Sequence, residues 1–310
     1  MIINRCNKIP ICLKIMLILS MTMTNILILG SGYIGNHLFR MFKNAGEDVT
    51  GTYYRERKDG RLFFDIETSN LDSIISGKEF QYAIFALASY KKVEEFGVNW
   101  ERCRRVDLEG TRRAIDECFK REIFPIYIST DYVFDGEKGD YSEEAGTNPL
   151  NNYGRIKSEV EKHMIKNGNF PWAIIRNSRV FGTDVNDGTI ISSILGKIHM
   201  DDDIKLSSDQ KFTPVFIGDL CNAVDYIIKN NYRGIIHVAS CPPTTHYEIG
   251  EKVNSLLGYR KKISPCPMNS FELKERRPIK VDLNIEKYER LTGFRKKPIE
   301  HFLQLIKYDN

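Results

Sequence analysis

The stretch Gly30-Ser31-Gly32-Tyr33-Ile34-Gly35 limits the possible folds of this chain more than any other. An unbroken apolar run, Asn25-Ile26-Leu27-Ile28-Leu29, leads into it. Leu38, Phe39 and Phe42 follow at helical spacing, closed by Asn44-Ala45-Gly46. A strand without polar alternation is buried on both faces, so it belongs in a parallel sheet covered by helices. Glycines at the junction allow a tight turn and close backbone approach. The helix then opens with free N–H groups and the positive end of its dipole, an arrangement that holds a pyrophosphate. The alternative is a glycine turn that merely packs helix on strand.

The same order repeats downstream. Apolar strands are expected near Asp48–Tyr54, Leu62–Ile66, Tyr82–Ala88 and Ile123–Ser129, with a short helix around Asn70–Ile75 and a long one from about Trp100 to Lys120. Further on come a helix near Tyr153–Asn167 and a strand near Trp172–Arg176. Less regular apolar stretches follow at Ile190–Ile198, Leu220–Ile228, Ile235–Ala239, Ile249–Leu257 and Ile299–Ile306. Alternating β and α at this spacing predicts an α/β fold with a Rossmann-type, doubly wound parallel sheet. We expect residues 23–175 to form the nucleotide-binding domain, with returning segments near 214–240. Residues 176–310 are expected to be mainly a smaller substrate-binding lobe.

The 310 residues, 42% of them hydrophobic, suffice for one large unit or two lobes. The net charge of +4 is dispersed, with no basic block, which argues against nucleic acid as a partner. Seven scattered cysteines show no metal-type spacing, so reduced thiols in a cytoplasmic protein and no metal site are expected. Residues 1–22 are unusual. Ile9–Ser20 is apolar but is interrupted by Lys14 and is too short to span a bilayer, and Met21 and Met23 stand just before the first strand. We read 1–22 as a loose extension or a start assigned too far upstream; a signal or anchor is the alternative.

The end of the second strand, Tyr54-Arg55-Glu56-Arg57-Lys58, offers cations where a dinucleotide's ribose is recognised, which favours NADPH over NADH. A solvated basic turn is the competing reading. Asp65-Ile66 could meet the adenine, although Asp65 could equally cap a turn. Ala86-Leu87-Ala88 leaves room for the cofactor at the fourth strand's end.

The reacting groups are expected from Thr130, Tyr153 and Lys157. The Ile123–Ile128 strand delivers Thr130 at its carboxyl end, and Tyr153 and Lys157 share one helix face at i, i+4. Tyr-x-x-x-Lys alone is weak, since Tyr54/Lys58 has the same spacing. Context separates the two pairs. A phenol is a poor acid–base catalyst at neutral pH, and a nearby ammonium eases its ionisation. A hydroxyl donating to a carbonyl oxygen stabilises the charge that grows there.

Ser129-Thr130-Asp131-Tyr132-Val133-Phe134-Asp135-Gly136, followed by Pro149-Leu150-Asn151-Asn152-Tyr153-Gly154-Arg155-Ile156-Lys157, resembles the dTDP-4-dehydrorhamnose reductases among the extended short-chain dehydrogenases. Arg176-x-Ser178-x-Val180-Phe181-Gly182, Asp209-Gln210, Pro214, Asp219-Leu220, Arg277-Pro278 and Leu283 extend the likeness from about Asn25 to the C-terminus. The resemblance implies reduction of a nucleotide-diphospho-4-keto-6-deoxyhexose with NADPH or NADH, and a possible homodimer. It makes Tyr153 the proton donor and Lys157 its partner and ribose ligand, with Thr130 and Asp131 at the 4-keto group. Gly30, Gly32, Tyr33, Ile34, Gly35, Asp65, Ile66 and Ala86 to Ala88 would contact the cofactor.

Three positions depart from the family pattern. Leu29 stands at the first glycine of the turn, Asp107 replaces a customary Asn, and Arg179 replaces a sugar-contacting aromatic. Arg179 could face an anionic part of the substrate or be solvated. Lys274, Arg276, Arg277 and Lys280 form a local basic cluster that could meet a diphosphate. An epimerase or a dehydratase of the same superfamily is an alternative, although dehydration needs an acid where Tyr132 stands. A non-catalytic NADP-binding regulatory subunit is another.

Overall fold

The computed structural model describes residues 23–306 except 76, 91, 168–169 and 201–202. The proposed extension, residues 1–22, lies outside the described residues.

The strands run β1 (Asn25–Leu29), β2 (Asp48–Tyr53), β3 (Arg61–Phe63), β4 (Tyr82–Phe85), β5 (Phe124–Ile128), β6 (Ala173–Asn177), β7 (Val180–Phe181), β8 (Asp203–Ser207), β9 (Val215–Phe216), β10 (Gly234–Val238) and β11 (Lys262–Cys266). Seven of them form a sheet in the order β10-β6-β5-β4-β1-β2-β3, with every pairing parallel. The order reverses between β1 and β4, the point where open α/β sheets bind ligands beyond their carboxyl ends. Strand side chains alternate between two cores. Ile26, Ile28, Ile84 and Ile126 meet Leu38 and Phe42 of helix Tyr33–Asn44 and Leu220, Val224 and Ile227 of helix Ile217–Asn230. Leu27, Leu29, Phe85 and Tyr127 meet Ile115 of helix Thr111–Lys120 and Val160 and Met164 of helix Asn152–Lys166. Burial on both faces explains the unbroken apolar runs.

A third core gathers helices Ile190–Met200 and His246–Leu256, the short parallel pair β8–β11 and Phe302. The chain therefore leaves the sheet after β6, builds part of this lobe, returns for β10, and leaves again.

Some local expectations change. The single helix expected over Trp100–Lys120 is helix Trp100–Cys103, a π-helical turn Arg104–Gly110 and helix Thr111–Lys120. Gly110 lies so close to Ile66 O that a Cβ there would sit 2.5 Å from it, and the buried Asp107 bonds Ser89; both features go with the widened turn. The third strand stops at Phe63, short of the expected Ile66. Among the described residues no helix is long and apolar enough to cross a membrane.

Candidate active site

Gly30 has φ +112°, and a Cβ there would sit 2.5 Å from Ala86 O. A Cβ on Gly35 would collide with Gly30 O, so helix Tyr33–Asn44 packs on the turn only through glycine. Gly32 has open space around it and is the helix N-cap, with no side chain bonded to the helix's first N–H groups. The cradle therefore fits a pyrophosphate, and Leu29 in place of a glycine simply ends β1 inside the core. Ile34 packs against the first core. The Tyr33 hydroxyl donates to Asp187 Oδ2 at 2.9 Å, which leaves its backbone N–H at the turn.

Ala86 lies against Gly30 and Gly35, Leu87 packs on the second core, and Ala88 is exposed. Arg55 reaches from the end of β2 to donate to Ser89 O at 3.0 Å, and it lies 5.5 Å from the Tyr90 ring. Asp65 accepts from Glu67 N at 3.0 Å and Thr68 Oγ1 at 2.9 Å, so its carboxylate caps a turn, and Ile66 is buried in the second core.

At the end of β5, Thr130 opens a short 3-10 turn. Its Oγ1 accepts from Tyr132 N at 3.2 Å and donates to Asp131 Oδ1 at 3.0 Å. Asn151 caps helix Asn152–Lys166 by accepting from Gly154 N at 2.8 Å. Gly154 passes so close to Tyr132 O that a side chain there would clash, which brings Tyr153 up to the 3-10 turn. The Tyr153 ring meets Phe96 at 5.0 Å and Tyr132 at 6.2 Å, both edge-on. One turn on, Lys157 donates to Ile128 O at 3.0 Å and sits 4.6 Å from the Tyr127 ring and 5.9 Å from that of Tyr153. The structure thus brings Thr130, Asp131, Tyr153 and Lys157 together.

Burial dominates the electrostatics here. It raises the Tyr153 phenol well above its usual range, Asp131, Asp107 and Tyr132 push the same way, and a hydrogen bond with Thr130 opposes them. Burial lowers Lys157 to about 8, while Asp107 and Glu161 hold it up. It raises Asp131 to about 6 against the pull of Ser178, Arg179 and Thr130.

Arg179 is half-buried. It donates to Tyr132 Oη at 3.2 Å and Gln210 Oε1 at 3.4 Å, and lies 5.5 Å from the Phe212 ring. Gln210 Nε2 also donates to Tyr132 Oη at 3.2 Å. Of the expected basic cluster only Arg277 joins the site. It pairs with Glu94 and lies 5.7 Å from the Tyr132 ring, while Lys274, Arg276 and Lys280 are exposed. Asp131 Oδ2, Asn177 Oδ1, His246 Nδ1 and Arg277 Nη1 are buried without a hydrogen-bond partner among the described residues. Buried polar atoms without partners are uncommon, and a polar ligand could complete their bonding.

Two supporting groups escaped the sequence reading. Glu161, four residues after Lys157 and so on the same helix face, receives Arg176 Nη2 at 2.7 Å and the Ser129 hydroxyl. The i, i+4 spacing was the available signal. Ser89 bonds Asp107, and no local pattern announces that contact.

A glycine cradle at one strand end and a Thr/Tyr/Lys group two strands away define a dinucleotide-dependent oxidoreductase. The chain belongs to the RmlD substrate binding domain family, which it matches over residues 23–307. It is 27% identical over 239 residues to a probable low-salt glycan biosynthesis reductase of Haloferax volcanii, covering 74% of this chain and 78% of the relative. It is 26% identical to the methionine adenosyltransferase 2 subunit beta of Danio rerio, covering 71% and 69%. A dTDP-4-dehydrorhamnose reductase of Bacillus anthracis, solved in complex with NADP, superposes with a TM-score of 0.80 at 21% identity, covering 92% of this chain and 99% of that one.

Proposed function

We propose that this protein reduces the C4 carbonyl of a nucleotide-diphospho-4-keto-6-deoxyhexose, using NADPH, with NADH as the weaker alternative. The reading rests on one observation: a buried hydroxyl, a partly buried phenol and a buried ammonium meet at the end of β5, two strands from the glycine turn that follows β1. The motif likeness around Thr130 and Tyr153 supports the sugar-nucleotide substrate.

Gly30, Gly32, Tyr33, Ile34 and Gly35 would hold the pyrophosphate, and Arg55 the adenosine ribose end with its 2′-phosphate. Asp65 and Ile66 would lie towards the adenine, and Ala86, Leu87 and Ala88 along the cofactor. When bound, the reduced nicotinamide supplies the hydride. Thr130 Oγ1 and Tyr153 Oη donate to the carbonyl oxygen, and the Tyr153 proton passes to it as C4 is reduced. Lys157 orders the ribose and stabilises the phenolate left behind. Asp131 and Arg179, with Gln210 and Arg277, would orient the sugar diphosphate, mainly from the 176–310 lobe. We place the protein in the cytoplasm, as a homodimer.

Incubation with a dTDP-4-keto-6-deoxy sugar and NADPH tests this. Cofactor oxidation that disappears in Tyr153→Phe supports the reductase. The likeness to a methionine adenosyltransferase subunit favours a second reading, a regulatory subunit that binds NADP. Cofactor binding without turnover across several keto sugars would select it.

A further inference from the structure

Three consecutive residues, Glu275-Arg276-Arg277, reach the start of helix Asn152–Lys166 from the third core, which holds Ile263 before them and Val281 after them. Each makes one tie. Glu275 is buried, and both of its carboxylate oxygens accept from Asn152, the first residue of that helix. Oε2 takes the backbone N–H at 3.1 Å, and Oε1 takes Nδ2 at 2.9 Å. Arg276 O accepts from Asn151 Nδ2 at 2.9 Å, which orients the N-cap whose own oxygen takes Gly154 N. Arg277 pairs with Glu94 of the short helix Glu94–Val98, whose Phe96 meets the Tyr153 ring edge-on.

The first N–H groups of a helix have no partner within it. Asn151 satisfies the one on Gly154 from next door. Glu275 satisfies the one on Asn152 from 123 positions further along the chain. A carboxylate at this end also meets the positive end of the helix dipole. Tyr153 lies between the two bonded N–H groups, so the backbone that carries the phenol is held on both sides. Gly97 makes the approach possible. A Cβ there would collide with Glu275 Oε1, so the carboxylate occupies the space that a side chain at position 97 would take. Glu275 therefore lies against helix Glu94–Val98 and caps the Tyr153 helix at once.

We propose that Glu275 is a positioning residue for Tyr153. It caps the Tyr153 helix through Asn152, in the space left by Gly97, and so ties the proton donor to the part of the chain that would hold the sugar. The kinetic part rests on the reductase reading; the placement of Tyr153 does not. Glutamine at 275 keeps an oxygen for the Asn152 N–H. Alanine keeps none.

The first test needs no turnover. In cofactor-free protein carrying ring-13C tyrosine, the Tyr153 signal is assigned by its loss in Tyr153→Phe. Glu275→Ala is expected to shift that signal and to leave the signal of the exposed Tyr54 in place. A Tyr153 signal that overlays the native one overturns the proposal. In turnover, Glu275→Ala is expected to lower kcat about tenfold or more with KM for NADPH within about threefold, because the glycine cradle is untouched. Glu275→Gln is expected to keep kcat within about threefold of native. An unchanged kcat in Glu275→Ala, or a Glu275→Gln as slow as Glu275→Ala, counts against the proposal. Gly97→Ala, which displaces the carboxylate while keeping Glu275, is expected to reproduce the loss. Gly97→Ala combined with Glu275→Ala is expected to stay within about twofold of Glu275→Ala alone, and losses that multiply overturn the shared placement. If the alanine variants do not fold, the native protein still decides. Its Asn152 amide is expected to exchange hydrogen about 100-fold more slowly than an exposed amide, and fast exchange overturns the cap. Absence of turnover in the native protein, together with a shifted Tyr153 signal in Glu275→Ala, would sink the reductase reading and leave the role of Glu275 standing.

Discussion

Tyr54/Lys58 and Tyr153/Lys157 have the same spacing and opposite surroundings. Tyr54 is 43% exposed just past the end of β2, in a run of bends, and Lys58 pairs with Glu56 in solvent. Tyr153 and Lys157 lie on one helix, and Lys157 is 6% exposed, held by Ile128 O. Spacing becomes chemistry only when a helix turns both groups to one side and the fold removes water from them. Removal of water is also what moves Tyr153 and Lys157 from their ordinary titration ranges.

The sharpest way to break this comparison is to alter both pairs. Tyr153→Phe and Lys157→Met are each expected to lower kcat by about 10³-fold or more, measured by steady-state NADPH oxidation, because each removes a group needed for proton transfer. The ion pairs supply a second contrast. Arg176–Glu161 is almost fully buried, so Glu161→Gln is expected to cost about 3–5 kcal/mol in urea unfolding. Removing the exposed Lys58–Glu56 pair is expected to cost under about 1 kcal/mol.

Next in size is the pH dependence. Lys157 titrates at about 8, below the usual lysine value, so its ammonium is complete below that pH and is lost above it. The rate of reduction is therefore expected to fall through about pH 8, read from kcat/KM. A flat profile to pH 9.5 would show that Lys157 does not act as a charged group. The smallest effect belongs to the exposed pair: Tyr54→Phe and Lys58→Met are expected to leave kcat within about twofold.

Much of the fold was legible because parallel strands buried on both faces write themselves as runs such as Ile26–Leu29, and Gly30 and Gly35 mark where backbone meets backbone. The Thr130, Tyr153 and Lys157 cluster was legible from a strand end and a helix face. What escaped depended on contacts distant in sequence. The π-helical turn is invisible because Asp107 goes inward to meet Ser89, eighteen positions earlier. Asp65 is a local case: of the two roles open to it, cofactor ligand or cap, its bonds to Glu67 and Thr68 are those of a cap. The basic run near Arg277 reads as one patch because sequence does not reveal which of its residues the fold half-buries, as it does Arg277, and which it leaves in solvent.

The position of β10 has a consequence for biosynthesis. Among the described residues it pairs only with β6, and it is made after the chain has already travelled through β7, β8, β9 and helix Ile217–Asn230. While a ribosome is producing that excursion, the β6 edge has no neighbour on its outer side. An open, apolar parallel edge is a template for pairing with other chains. Translation pauses or truncations between Val180 and Gly234 would therefore leave this protein most prone to aggregate, and most dependent on chaperones, just before its sheet can close.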